Sequence, residues 1–243
     1  MINNQIIAID GESYVGKSTM SEELATLMGC VYINTGYMYR AVTHKALESK
    51  IDYKDQKSII TLAKKLKLEF KFHQNKTNII LNDKDVTKSL DNPMIVSYAS
   101  QIAQISELRK LLAEMQRSYA KLGMIIFEGR DIGTIVFPNA HWKFYITASI
   151  EVRASRMKKL LIQRAPDQSI NVNDLIQKVV ALDERDKTRK IAPLRKADDA
   201  IIYDNSDSPS EYQDALILQY YINHTYEITR NAHLLLNKTI NKS

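Results

Sequence analysis

One short segment, 11–18 with the sequence GESYVGKS, limits the possible fold of this chain more than any other feature. It matches the pattern G-x-x-x-x-G-K-[ST], a loop whose backbone N–H groups surround phosphates. An apolar run at 5–10 precedes the loop, and apolar residues at helical spacing follow Ser18. A strand, a glycine-bounded loop and a helix N-terminus are the parts that bind an anion. We therefore interpret the segment as a phosphate-binding loop rather than as an accidental glycine-rich turn.

From this loop onward, strand-like apolar runs alternate with helical patterns. The alternation predicts a three-layer α/β fold, in which a mostly parallel five-stranded sheet carries helices on both faces. The expected strands are 5–10, 31–34, 124–127, 142–147 and 199–204. The expected helices are 18–27, 36–49, 58–66, 92–122, 150–164, 173–190 and 210–221.

The segment 67–90 departs from this alternation. Apolar and polar residues alternate at 68–72, and an apolar run follows at 77–81. Turn signals lie at Asn75-Lys76 and Asn82-Asp83. These features predict a small antiparallel β insert. The core is then formed by 1–66 and 91–221, and a polar tail follows at 222–243.

Composition limits the compartment and the partners. Cys30 is the single cysteine, so no internal disulfide can form and a reducing compartment fits. The chain has no apolar run of transmembrane length and no signal pattern at its N-terminus, so we expect a cytoplasmic protein without membrane contact. The net charge is +6, but the basic residues form no long block with interleaved aromatics. We therefore do not expect nucleic-acid binding.

Charged residues follow two further predicted strands. The segment 35–40 follows the second strand, and the segment 128–131 follows the third. Ligands of parallel sheets bind at the carboxyl ends of the strands, and arginine suits bidentate phosphate contacts. Both segments are therefore predicted to belong to the same site as the phosphate-binding loop.

A third charged cluster, 183–189, lies on a predicted helix. Arg185 and Arg189 are four positions apart there, so they repel each other unless a ligand or a carboxylate lies between them. A phosphate site and a surface network with Glu184 and Asp186 both remain open interpretations of this cluster.

Six motifs cover both halves of the expected site. They are Ile9-Asp10-Gly11, Gly16-Lys17-Ser18-Thr19, Thr35-Gly36-x-x-Tyr39-Arg40, Ser100-Gln101, Gly129-Arg130-Asp131-x-Gly133-Thr134-x-x-Phe137-Pro138 and Arg185-Asp186-x-x-Arg189-x-x-Ala192-Pro193-Leu194. This set resembles the bacterial cytidylate kinases across residues 5–205. Many kinases share the phosphate-binding loop, whereas the last two motifs are much more specific.

The resemblance implies a P-loop kinase fold and transfer of the γ-phosphate of ATP to CMP, and to dCMP, in nucleotide salvage. It also implies Mg²⁺ as a cofactor, a monomer, and a lid near 157–171. The residues that ATP would contact by this resemblance are Gly11, Glu12, Ser13, Tyr14, Val15, Gly16, Lys17, Ser18, Thr19, Arg153 and Arg156. Ser18 would hold the metal.

The resemblance also assigns the acceptor side. The catalytic residues would be Lys17, Arg40, Arg130 and Arg189. The residues that CMP would contact are Thr35, Tyr39, Arg40, Ser100, Arg109, Gly129, Arg130, Asp131, Asp186 and Arg189. The three arginines would hold the CMP phosphate, Asp186 the ribose, and Tyr39 the nucleoside. The cytosine edge would be read by Ser100, Arg109 and Asp131.

Helix geometry constrains that last assignment. Ser100 and Arg109 are nine positions apart, so one continuous helix would place them on opposite faces. The predicted helix at 92–122 must therefore break between them. We expect Ser106 to mark the break and to cap the second helix.

Two positions depart from the resembling family. Leu182 lies where those kinases usually have an arginine, which predicts weaker discrimination between CMP and dCMP or weaker binding of both. Tyr14 and Val15 are bulky in a loop that usually has small residues, which affects the expected ATP affinity rather than the type of reaction.

Two other functions are also compatible with a phosphate-binding loop. The same chemistry on UMP, dTMP or another small acceptor fits the 129–131 context less well. The second function is that of a regulatory or nucleic-acid-binding P-loop module, which hydrolyses ATP or GTP slowly. A guanine-reading Asn-Lys-x-Asp motif would support it, but Asn75-Lys76-Thr77-Asn78 lacks the aspartate and lies in the β insert.

Overall fold

The computed structural model describes residues 5–73, 76–164, 171–208, 210 and 212–225. The strands within these residues are β1 Ile6–Gly11, β2 Val31–Asn34, β3 Leu68–His73, β4 Lys76–Leu81, β5 Lys84–Asp85, β6 Ile125–Gly129, β7 Trp142–Thr147 and β8 Ile201–Asp204. The helices are α1 Lys17–Met28, α2 Gly36–Glu48, α3 Gln56–Lys65, α4 Pro93–Ile102, α5 Ser106–Tyr119, α6 Ile150–Arg164, α7 Val172–Lys187 and α8 at 212–225.

Five parallel strands form the main sheet in the order β2-β6-β1-β7-β8. The strand β1 lies at the centre, where Ile9 is aligned with Glu128 on one side and with Phe144 on the other. This confirms the predicted five-stranded parallel sheet, and each predicted strand lies within two residues of an observed one.

Alternate residues of β1 face opposite layers, as a strand requires. Ala8 packs in a core with α2 and α5, whereas Ile7 and Ile9 pack in a second core with α1 and α8. Since both faces are covered by helices, the three-layer prediction is confirmed.

The predicted β insert is a separate antiparallel sheet of the order β3-β4-β5. Phe70 and Ile79 join the core beneath α2, and the Thr77 hydroxyl donates to the carbonyl of Tyr32 in β2 at 2.7 Å. Asn82 and Asp83 have positive φ values of 47° and 65°, which confirms the turn predicted there. The other predicted turn lies partly outside the described residues.

The helix predicted at 92–122 breaks as expected, but the capping role of Ser106 was wrong. Ser106 is the first helical residue of α5, and the residue before it, Ile105, takes the cap position without a side-chain hydrogen bond. Ile105 is extended and buried, so its packing in the core ends α4 and starts α5 in place of a polar cap.

The C-terminal segments differ from the predicted bounds. The last helix, predicted at 210–221, runs over 212–225. The rest of the predicted tail, 226–243, and residues 165–170 of the expected lid lie outside the described residues. Within the described chain, no helix has the length and hydropathy needed to cross a membrane.

Candidate active site

The carboxyl ends of β1, β2 and β6 bring three of the predicted segments together. Asp10 is aligned with Gly129, and Asn34 with Glu128. Beyond the strand end, Thr35 donates to the carbonyl of Glu128 from its backbone N–H at 3.0 Å and from its hydroxyl at 2.8 Å. The phosphate-binding loop, Thr35 and the segment after β6 thus lie at one edge of the sheet.

Both loop glycines are required by their surroundings. Gly11 has a φ of 151°, and a Cβ there would lie 2.1 Å from the carbonyl oxygen of Ile146. Gly16 has a φ of 92°, and its Cβ would lie 2.7 Å from the Asn205 amide nitrogen. A side chain at Gly11 would therefore clash with the backbone of β7, and at both positions an L-residue would be strained by the positive φ.

Lys17 is buried at the start of α1, beneath the loop. Its ammonium donates to the carbonyl of Glu12 at 2.5 Å. Burial, and then the nearby Arg130, lower the pKa of Lys17 to about 7. Because an anion would favour the charged form, a phosphate near Lys17 would raise this pKa.

The loop is also held from outside by α6, α7 and Asn205. Arg153 donates to the carbonyl of Ser13 at 2.8 Å, and Arg156 and Asn205 donate to that of Val15 at 3.0 and 2.8 Å. Arg153 also pairs with Glu12 at 3.1 Å and with Asp183. Its side chain is only 5% exposed, so Arg153 lies behind the loop.

Polar groups that suit a hard cation lie at the first turn of α1. The Ser18 hydroxyl donates to the Glu128 carboxylate at 3.1 Å and accepts from Asn34 at 3.3 Å. Glu128 also accepts from the hydroxyl of Tyr32. Hydroxyl and carboxylate oxygens are the ligands that Mg²⁺ prefers.

Asp10 fixes the segment that follows β6. Its carboxylate accepts from the backbone N–H groups of Ile132 and Gly133 at 2.9 and 2.7 Å. Burial raises the pKa of Asp10 to about 6, although these two hydrogen bonds oppose the rise. Arg130 and Asp131 lie directly before these anchored residues. Asp10 therefore fixes the backbone position of Arg130 and Asp131.

Arginines and carboxylates alternate on the opposite side of the site. Arg109 pairs with Asp131 at 2.6 Å and lies 5.5 Å from the centre of the Tyr39 ring. Arg130 pairs with Asp186 at 2.9 Å, and Arg189 lies 3.6 Å from Asp186. Six of the predicted acceptor residues therefore form two groups, Arg109 with Asp131 and Tyr39, and Arg130 with Asp186 and Arg189. The charge of Arg109 also acts on Arg189, which places the two groups near each other.

Three buried guanidinium nitrogens in this cluster have no hydrogen-bond partner among the described residues. They are Nε of Arg109 and Nε and Nη2 of Arg189. Burial, and then the nearby Arg109, lower the pKa of Arg189. Unpaired buried donors on cations are costly, so these nitrogens are suited to an anion as a partner.

Two predicted acceptor residues have partners that the sequence did not suggest. Arg40 pairs with Asp91 at 2.7 Å, at the end of the β insert. Ser100 accepts from Arg185 and donates to the carbonyl of Ser97 at 2.9 Å. The helix break thus brings Ser100 to α7 and Arg109 to Asp131.

Comparison with known proteins identifies the family to which this chain belongs. The family model of cytidylate kinase matches residues 7–221. A cytidylate kinase of Caldicellulosiruptor bescii is 37% identical over 225 residues, which cover 93% of this chain and 97% of the relative. The chain belongs to the cytidylate kinase family. Since cytidylate kinases are nucleoside monophosphate kinases, this chain is one as well.

Two further relatives agree with this assignment. A cytidylate kinase of Clostridium botulinum is 40% identical over 201 residues, covering 83% of this chain and 90% of the relative. One of Flavobacterium johnsoniae is 39% identical over 218 residues, covering 88% and 94%. Asp91 and Asn205, which no sequence motif singled out, also contact residues of the site, at Arg40 and at the carbonyl of Val15.

Proposed function

We propose that this chain transfers the γ-phosphate of ATP to CMP, and also to dCMP, giving ADP and CDP or dCDP. One contact carries the proposal. Arg130 pairs with Asp186 on the acceptor side and also donates to the Ser13 hydroxyl of the phosphate-binding loop at 3.1 Å. A guanidinium that reaches both sides can neutralise a phosphate passing between them.

On the donor side, the triphosphate would lie along the residues of the loop, Gly11 to Thr19. Lys17 would contact the terminal phosphates, and its charged form would be favoured by them. Ser18 and Glu128 fit Mg²⁺ because they offer a hydroxyl and a carboxylate 3.1 Å apart. When bound, the ion would supply charge neutralisation at the phosphates.

On the acceptor side, Arg40, Arg130 and Arg189 would hold the CMP phosphate. Arg189 supports this role most directly, because two of its nitrogens are buried and unpaired within the described chain. Asp186, which already contacts Arg130 and Arg189, would accept from the ribose hydroxyls. The ring of Tyr39 would line the nucleoside pocket beside Arg109.

The Arg109–Asp131 pair would read the base. Cytosine offers an N4 amino donor beside the N3 and O2 acceptors, so a carboxylate next to a guanidinium matches its edge. Ser100 would complete this contact once Arg185 releases its hydroxyl. Uracil presents an acceptor to Asp131 in place of the amino donor, so UMP should react more slowly.

The proposed chemistry requires alignment more than acid–base catalysis. A phosphate oxygen of CMP is already a competent nucleophile, so no side chain needs to remove a proton. The residues bring two phosphates together, neutralise their charge and exclude water from the transferring group. Arg153 and Arg156 would contribute by holding the loop through the carbonyls of Ser13 and Val15.

A coupled assay of ADP release with ATP and Mg²⁺ tests the proposal against CMP, dCMP, UMP, dTMP and AMP. Fast turnover confined to CMP and dCMP is expected. ADP release that does not depend on an acceptor would instead support a regulatory P-loop module.

The proposal includes a cytoplasmic monomer that binds no nucleic acid. The single cysteine fits a reducing compartment, and the basic residues form no long block that would suit nucleic acid. Light scattering at assay concentration, with and without substrates, measures the mass and would contradict a monomer by giving a multiple of 27.9 kDa.

A further inference from the structure

Tyr14 has a backbone conformation that a large side chain rarely adopts. It lies in the middle of the phosphate-binding loop with a φ of 62°. An L-residue in this left-handed region brings its Cβ close to the following carbonyl oxygen, which costs free energy. Such strain persists only where the surrounding structure holds the residue in place.

The side chain of Tyr14 packs against the two helices that follow β7. These helices share a small core of Ala154 and Met157 from α6 with Leu175 and Val179 from α7, and Tyr14 covers it. No other residue of the loop is part of this core among the described residues. Tyr14 therefore connects the loop to both helices at once.

Polar contacts fix the residues on either side of Tyr14 to the same helices. The backbone N–H of Ser13 donates to Asp183 of α7 at 3.1 Å, and its carbonyl accepts from Arg153 of α6. The carbonyl of Val15 accepts from Arg156, also of α6. The strained Tyr14 thus lies between two residues that are hydrogen-bonded to α6 or α7. Its ring adds an apolar contact with the same two helices.

We propose that Tyr14 is a positioning residue that couples the phosphate-binding loop to α6 and α7. Packing of its ring on the α6–α7 core holds the loop in the shape that binds a nucleoside triphosphate. A glycine at this position would relieve the strain, but it would leave the loop without that contact. The inference rests on the proposed function only in taking ATP as the ligand of the loop.

The test measures ATP affinity directly, by calorimetric titration of the full chain with ATP and Mg²⁺ in the absence of CMP. Tyr14→Ala removes the ring and keeps the strain, whereas Tyr14→Gly removes both. We expect the Kd for ATP to rise roughly tenfold in each variant, the size of effect that coupling residues have. Tyr14→Phe keeps the ring and should rescue most of the affinity.

Ile176→Ala is the matched control. Ile176 packs against the same core from α7 but lies outside the loop. We expect this variant to lower the Tm about as much as Tyr14→Ala and to leave the Kd for ATP close to that of the unmodified chain. In steady-state kinetics, the KM for ATP should rise in Tyr14→Ala while the KM for CMP stays nearly constant.

Three results would overturn the inference. Normal ATP affinity in Tyr14→Gly would show that the ring positions nothing. An equal loss in Tyr14→Phe would assign the effect to the hydroxyl, and an equal loss in Ile176→Ala would assign it to general stability of the helices. A chain that binds ATP but leaves CMP unchanged would refute the proposed function alone, because the titration does not depend on an acceptor.

Discussion

The two sides of the site differ in how completely their polar groups are paired. On the donor side, the carbonyls of Glu12, Ser13 and Val15 all accept from side chains. On the acceptor side, buried nitrogens of Arg109 and Arg189 have no partner among the described residues. The loop is therefore held in shape by the protein itself, whereas on the acceptor side donors of two arginines remain for the phosphate that the proposed function would supply.

Loss of Arg130 should have the largest effect, because this residue connects the two sides. Arg130→Met is expected to lower kcat/KM for CMP by roughly a thousandfold or more, as for other arginines that neutralise a transferring phosphate. Steady-state kinetics measure this loss. The exposed Arg195 provides a control with the same change of charge. Equal losses in Arg130→Met and Arg195→Met would refute the special role of Arg130.

Arg189→Lys should affect the acceptor side alone. A lysine keeps the charge but loses the planar pair of donors, so the KM for CMP should rise roughly ten- to a hundredfold. The Kd for ATP should stay the same, since Arg189 interacts with Asp186 and Arg109 on the acceptor side. A parallel rise in the Kd for ATP would contradict the assignment of Arg189 to the acceptor side alone.

Lys17 gives the donor side a pH dependence. Its pKa in the folded chain is lowered to about 7, so the ammonium is mostly neutral at pH 8 before ATP binds. Because the triphosphate favours the charged form, binding at pH 8 should take up a proton, and affinity should fall by up to about tenfold per pH unit above 7. Calorimetry in two buffers of different ionisation enthalpy counts the protons.

Lys17→Arg is the control for that measurement, because arginine stays charged throughout. It should show little proton uptake at pH 8. If the variant takes up as many protons as the unmodified chain, another group is responsible.

Leu182→Arg should produce the smallest change. Leu182 precedes Asp186 by four positions, so the two residues share one face of α7. An arginine there should change the ratio of kcat/KM for CMP to that for dCMP by up to about fivefold, the size of a partly exposed charge contact. An unchanged ratio would show that Leu182 has no part in discrimination.

The sequence was sufficient to predict the three layers of the fold, because each strand of the main sheet is an apolar run followed by turn or loop residues. The loop and the charged runs also predicted which strand ends meet. The side-chain pairing was not predictable in the same way. Asp183 and Arg153 are 30 positions apart, and only the packing of α6 on α7 makes them neighbours.

Burial also explains the wrong cap at Ser106. The residue type favours a cap locally, but Ile105 gains more by burial in the core than Ser106 would gain from one hydrogen bond. Glu128 is similar, since its position after the predicted strand 124–127 indicated a site but not the partners of its carboxylate. Its contacts with Ser18 and Tyr32 depend on β2 and α1 lying beside β6.

Product analysis by ³¹P NMR tests the central claim most directly. The chain is incubated with CMP, Mg²⁺ and ATP that carries an isotope label on its γ-phosphate. If the chain transfers the γ-phosphate, the label appears in the β-phosphate of CDP, with one ADP formed for each CDP. Label found only in inorganic phosphate, with CMP unchanged, would contradict transfer between the two sides.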